Sequence, residues 1–385
     1  MKDSGNNSAV YGGDNFIIEK NLLKSEEKAI FALRSLYKKY GYLPYNMSKF
    51  EEYELYIRNK DFLVSDRIIT FNDTNGKLMA LKPDVTLSII KSGEDTPGFK
   101  QKVYYNENVY RVSESTKHYK EIMQTGLECI GDIDGYDVLE VILLAAESLD
   151  KISSNGDFVL EISHLGILFS VIEQVNASED FIKRAAELVS MKNMHDLKKL
   201  CDEYEVSDED YEKLCVFITS YGERKKVLND LKEICRNNAE QSYLELCELS
   251  EMIDAADSRF SDKIIFDFSV VNDMNYYNSI AFRGFIDGIS DGVLSGGRYD
   301  KLMKKMGRKT GAIGFAVYTH LLEQLKSEED GYDIDVLLVY DEKSDKSAIR
   351  REVEKIVAQG KSVSAQKTND TALRYREKII FGEVK

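Results

Sequence analysis

Two strand-like runs, VYYNENVYRV over 103–112 and IMQTGLECIG over 122–131, set Arg111, Gln124 and Glu128 among apolar neighbours, and no other segment constrains the fold as tightly. Successive side chains of a strand point to opposite faces, so a separation of four puts Gln124 and Glu128 on one face. Buried polar groups cost free energy unless partnered, so this face holds either an internal ion pair or a ligand pocket. The three groups suit a zwitterion: Glu128 takes an ammonium, Gln124 hydrogen-bonds to it, and Arg111 pairs with a carboxylate.

The segments before this pair read as a helix, a hairpin and a second short helix. From Ser25 the residues Ile30, Leu33, Tyr37 and Tyr40 recur at helical spacing, with Glu26 and Glu27 in the first turn and Gly41 just past the end. Residues 67–71 and 77–81 form a β-like pair joined through Asn75-Gly76. Pro83 and Asp84 then precede a short apolar helix, where the carboxylate can cap free backbone N–H groups.

Residues 166–255 contain no proline and are rich in Leu, Lys and Glu, which predicts a helical insertion. Two amphipathic helices flank Val206-Ser207-Asp208, and two more lie within 223–253. The expected divisions are a mobile lead-in over 1–16, core segments over 17–165 and 256–325 around the insertion, and a linker with a small α/β domain over 326–385. In that last part DIDVLLVYD reads as a buried strand, 347–358 as a helix and KSVSAQ as a second strand.

A chain of 385 residues exceeds the usual size of one domain. Its formal charge of -15 argues against a chain built to neutralise nucleic-acid phosphates. The five cysteines form no CxxC pair and the four histidines are scattered, so neither a disulfide framework nor a structural metal site is expected. No apolar stretch reads as a signal or membrane span, and reduced cytoplasm is the expected location.

The segment from Asn272 onward carries NDMNYYNSIAFRGF, SGGRYD and GAIGFAVYTHLLEQL. Gly296-Gly297-Arg298 reads either as a tight turn with a surface arginine or as a close backbone approach that offers a cation to an anion. Tyr276 and Tyr277 serve as core or as ligand contacts. Arg308 and Lys309, in KKMGRKTG, either join Arg298 around a phosphate or belong to a solvated loop.

In order and spacing, KPDVT, VYR with QTGLECIG, MNYY, GGRYDKL and IGFAVY resemble the motifs of histidyl-tRNA synthetase, a class II synthetase, over about 17–325. The resemblance implies an α+β fold, an antiparallel sheet flanked by helices, with a dimer interface near Pro44. It also implies a histidine-like pocket at Asp84, Val85, Thr86, Arg111, Gln124, Glu128, Tyr276 and Tyr277, with Arg298 as an anion contact.

Three family positions are changed. Asn272 stands where the family's motif opens with arginine, Leu321 where an arginine grips the nucleotide, and Ser113 where a glutamate follows Arg111. Losing one group that stabilises a transferring phosphate costs on the order of 10² in rate, so aminoacylation is expected to be absent. A kept amino-acid pocket with a dismantled ATP grip resembles the regulatory subunits of ATP phosphoribosyltransferase, paralogues of the synthetase. That family implies no catalytic residues and no cofactor. It also implies a short-form catalytic subunit as partner, a dimer within a hetero-octamer, and a part in histidine feedback. The alternatives are a divergent histidyl-tRNA synthetase and a stand-alone amino-acid sensor. The tail, about sixty residues, is shorter than an anticodon-binding domain.

Overall fold

The structure, a computed structural model, describes residues 8–10, 17–19, 23–63, 68–93, 98–112, 117–153, 156–236, 238–256, 259–271, 276–325, 331–368 and 372–382. Two compact units divide the chain, 1–324 and 325–385.

Strand β1 (Ser8–Val10), in the expected lead-in, pairs antiparallel with β2 (Ile17–Glu19), at the start of the expected core segment. Helix α1 (Ser25–Lys39) begins where the Lys24 backbone N–H donates to Glu27 and ends before Gly41, whose φ of 83° favours glycine. It buries Ala29, Leu33, Leu36 and Tyr37, whereas Tyr40 falls at the cap and is 44% exposed. Next come β3 (Leu43–Pro44), β4 (Phe50–Glu52) and α2 (Tyr53–Arg58). The hairpin is β5 (Thr70–Asn72) and β6 (Leu78–Leu81), which form a small sheet with β4; residues 64–67 lie outside the described part. Helix α3 (Thr86–Ser92) follows, with its Leu87 N–H donating to Asp84 at 2.9 Å.

The two polar-bearing runs are long strands, β7 (Gln101–Val112) and β8 (Tyr119–Gly131), followed by α4 (Gly135–Ile152) and β9 (Phe158–His164). The proline-free region folds as α5 (Leu165–Val175), α6 (Glu179–Ser190), α7 (Met194–Glu203), α8 (Asp208–Thr219), a two-residue strand β10 (Tyr221–Gly222), α9 (Arg224–Leu231) and α10 (Glu240–Ala256). Ser178 and Ser207 cap α6 and α8 by accepting from the N–H three residues on. Cys201, Cys215 and Cys235 are buried there. The chain then returns to the sheet through β11 (Ile264–Asp267), β12 (Ile280–Ile286), β13 (Leu294–Arg298), α11 (Asp300–Lys305) and β14 (Gly311–Tyr318).

These strands make one nine-stranded sheet in the order β10-β11-β9-β12-β13-β14-β8-β7-β3. Every pairing is antiparallel except β11 with β9 and β3 with β7. Helices α1 and α4 cover one face. There the Tyr37 ring meets Phe315 edge-on at 5.9 Å, and Tyr37 Oη lies 3.1 Å from Ser148 Oγ. The Gly-Gly pair is not a turn: Gly296 and Gly297 lie inside β13. A Cβ would come within 2.5 Å of the Phe282 ring at Gly296, and within 2.6 Å of Tyr277 at Gly297.

The second unit holds β15 (Ile334–Val339), α12 (Lys346–Ala358), β16 (Val363–Gln366) and β17 (Tyr375–Ile380). Its sheet is parallel, with β15 between β16 and β17, and α12 packs beside β16. The third strand, YREKII, was not predicted from the sequence. Among the described residues, no helix is long and apolar enough to cross a membrane.

Candidate functional site

The sheet face opposite α1 and α4 carries a hollow built from strand register. Gly314, Ala316 and Tyr318 stand opposite Glu128, Gly126 and Gln124. On the next strand Gly297 and Ser295 oppose Gly314 and Ala316, and on the other side Tyr105 opposes Gly126. The alternation of side chains places all of these on one face. Glycine is required at 314, because a Cβ there would collide with the Glu128 carboxylate. The hollow is a cavity of about 50 Å³, and its lining includes all eight residues expected to form the pocket.

Glu128 is fully buried at its centre. Thr86, at the head of α3, donates to Oε1 at 2.7 Å, and Tyr299 donates to Oε2 at 2.6 Å. Neither donor is a cation, and the Asp84 carboxylate lies close enough to oppose ionisation. Burial pushes the Glu128 carboxyl up to about 8, against the pull of the two hydroxyls. Arg111 does not pair with it, since its Nε donates to the Pro83 carbonyl at 3.0 Å. The buried ion pair on this face is Lys82 with Glu107 at 2.5 Å, and Glu107 stands opposite Gln124.

Asp84 both caps α3 and lines the cavity. Gln124 is buried at the opposite end of the floor from Glu128. The Tyr276 ring packs between Tyr277, at 4.9 Å, and Tyr299, at 5.6 Å. Burial raises the phenols of Tyr105, Tyr276 and Tyr299 well above their usual range, so they stay protonated donors at neutral pH. Tyr276 and Tyr277 are core and lining at once.

Other expected residues are placed elsewhere. Arg298 is not among the lining residues, and its Nε is held by Asp300 at 2.8 Å. Arg308 donates to the Ile90 carbonyl at 2.7 Å, at the end of α3. Leu321 sits half-buried in the short turn Thr319–Gln324 and does not line the cavity. Ser113 and Asn272 lie outside the described residues. Sequence reasoning missed Tyr105, Ser295, Tyr299, Ala316 and Tyr318 as lining. Tyr299 lies within the quoted SGGRYD, but its approach to Glu128, 171 residues away, leaves no local signal. No group of three or more His, Cys, Asp or Glu side chains able to hold a metal occurs among the described residues.

This geometry coincides with one family. The model for histidyl-tRNA synthetase matches residues 20–322. An ATP phosphoribosyltransferase regulatory subunit from Caldanaerobacter subterraneus is 30% identical over 288 residues, 74% of this chain and 74% of that one. Among solved structures, an ATP phosphoribosyltransferase regulatory subunit/histidyl-tRNA synthetase from Bacillus halodurans superposes with a TM-score of 0.72 at 22% identity, covering 99% of each chain. A chain of the ATP phosphoribosyl transferase complex from Thermotoga maritima gives 0.59 at 19% identity, over 75% of this chain and 96% of that one. The chain belongs to the histidyl-tRNA synthetase family and, within it, to the ATP phosphoribosyltransferase regulatory subunits.

Proposed function

We propose that this chain is a non-catalytic regulatory subunit, acting in the cytoplasm, that binds and activates a short-form ATP phosphoribosyltransferase and takes part in its feedback control by histidine. The observation that carries the reading is the cavity itself. It is lined by two carboxyl groups, Asp84 and Glu128, and one guanidinium, Arg111. Histidine offers the complementary set: an ammonium and an imidazole as donors, and one carboxylate. A volume of about 50 Å³ lies far below the roughly 300–1,000 Å³ of sites for drug-sized molecules, which favours a free amino acid over a nucleotide.

The absence of aminoacylation rests on Leu321, and on Ser113 and Asn272 in the sequence, each standing where the family resemblance expects a charged group. Without the arginines expected at 272 and 321 an adenylate-forming transition state lacks its counter-charge. The expected assembly is a dimer meeting near Pro44, within a hetero-octamer. No nucleic acid, metal or cofactor takes part in this reading.

Two measurements test it. Purified chain mixed with a short-form catalytic subunit is expected to co-elute as a complex on size exclusion, and separate elution overturns the partnership. Histidine-dependent pyrophosphate exchange is expected to stay at background, and sustained exchange would return the chain to the synthetases.

A further inference from the structure

The Glu128 carboxyl receives its two hydroxyl donors from two separate walls of the pocket. Thr86 stands at the head of α3, and Tyr299 immediately precedes α11. Leu87, Ile89 and Ile90 of the first wall share an apolar cluster with Leu302 and Met303 of the second. Apolar burial is non-directional, so it holds the walls together without fixing their register.

A directional tie joins them at the far end of α3. Arg308, in the turn between α11 and β14, donates through Nη2 to the Ile90 carbonyl at 2.7 Å and to the Lys91 carbonyl at 3.2 Å. Both carbonyls belong to the last turn of α3, where backbone acceptors lack helical partners and a cation meets the negative end of the helix dipole. Arg308 is itself fixed to α11: Gly307 turns the chain at a φ of 78°, and Arg308 N donates to the Met303 carbonyl at 2.9 Å. Thr86 and Ile90 are one helical turn apart, so they lie on the same side of α3 with a rise of roughly 6 Å between them. A shift at the Arg308 end therefore reaches Thr86.

We infer that Arg308 is a positioning residue for the pocket, a strut that holds α3 in register with the second wall so that Thr86 and Tyr299 close on Glu128 together. The inference rests on the amino-acid-pocket reading above. Arg308 does not line the cavity and acts through α3. Without the strut α3 is free to slide, and water enters beside Glu128. Asp84, Tyr105, Tyr276 and Tyr299 face that carboxyl from the surrounding elements, and burial is the largest cause that holds it protonated. Hydration therefore lets Glu128 ionise at lower pH, which leaves less of its proton to be released when a cationic group binds.

The test is calorimetric titration of the full chain with L-histidine near pH 7, in two buffers of different ionisation enthalpy. Arg308→Ala is expected to bind histidine at least about tenfold more weakly than the wild type, the order of one lost charged hydrogen bond, and to release fewer protons on binding. Arg308→Lys, whose ammonium still donates to carbonyls, is expected to stay within about threefold of the wild type. Thermal unfolding of each variant confirms that it is folded, and Arg308→Gln replaces Arg308→Ala, with the same expectations, if the latter does not fold. Unchanged affinity, or weaker binding with unchanged proton release, overturns the strut. So does Arg308→Lys binding as weakly as Arg308→Ala. Failure of the wild type to bind histidine at all overturns the strut together with the pocket reading, and so differs from the other outcomes.

Discussion

A carboxyl buried between Thr86 and Tyr299, with Asp84 as a nearby like charge, keeps its proton up to about pH 8, whereas in the unfolded chain it ionises near 4.5. Between those values the native state binds more protons than the unfolded state, so this group's contribution to stability is full below 4.5 and is lost as pH rises through 8. Glu128→Gln removes the ionisation. The variant is expected to gain on the wild type between pH 5.5 and pH 8.5 by on the order of a few kcal/mol, read by urea unfolding at both values. A constant difference between the two proteins across that range would show that Glu128 is ionised in the folded chain. The same group links ligand to proton. An ammonium or imidazolium donor favours the carboxylate, so histidine binding near pH 7 is expected to release protons. Calorimetry in two buffers of different ionisation enthalpy measures that release, and an apparent enthalpy independent of buffer would contradict it. Tyr299→Phe removes one of the two hydroxyl donors and is expected to cost about 1 kcal/mol of stability.

At the scale of elements, the pocket depends on strands kept bare so that rings from distant segments can lie on them. Gly296→Ala puts a methyl within 2.5 Å of both Phe282 and Phe315. It is expected to destabilise the first unit by roughly 1–3 kcal/mol in urea unfolding, and a neutral change would mean that the rings yield freely. Local elements were legible where local chemistry decides them. The separation of four between Gln124 and Glu128 gave their common face, and Ser207 marked the start of α8. Where distant packing decides, the sequence misled. Gly296-Gly297 read either as a turn or as a close backbone approach to an anion, whereas here they lie inside a strand and make way for Phe282, Phe315 and Tyr277. Arg298 looked available as an anion contact because Asp300, two residues on, gave no sign that it would hold the guanidinium. Strand β17 was missed because the consecutive charges Arg376-Glu377-Lys378 resemble a solvated loop until a parallel partner is known.

For the whole molecule, the nine-stranded sheet carries two opposed tasks on its two faces. Helices α1 and α4 bury one face for stability, and the other presents a small pocket of about 50 Å³. A regulatory role asks that such a pocket report its occupancy to another chain, and coupling of that kind is reciprocal: a ligand that favours one assembled state is itself bound more tightly by that state. The direct measurement is the rate of phosphoribosyl transfer by a short-form catalytic subunit, with and without this chain, as histidine is added. The account predicts that the wild-type chain stimulates transfer and that histidine reverses the stimulation. It predicts that Glu128→Gln stimulates equally but requires at least about tenfold more histidine for reversal, as expected when a charged hydrogen bond is lost. A rate unchanged by the wild-type chain would contradict the central claim.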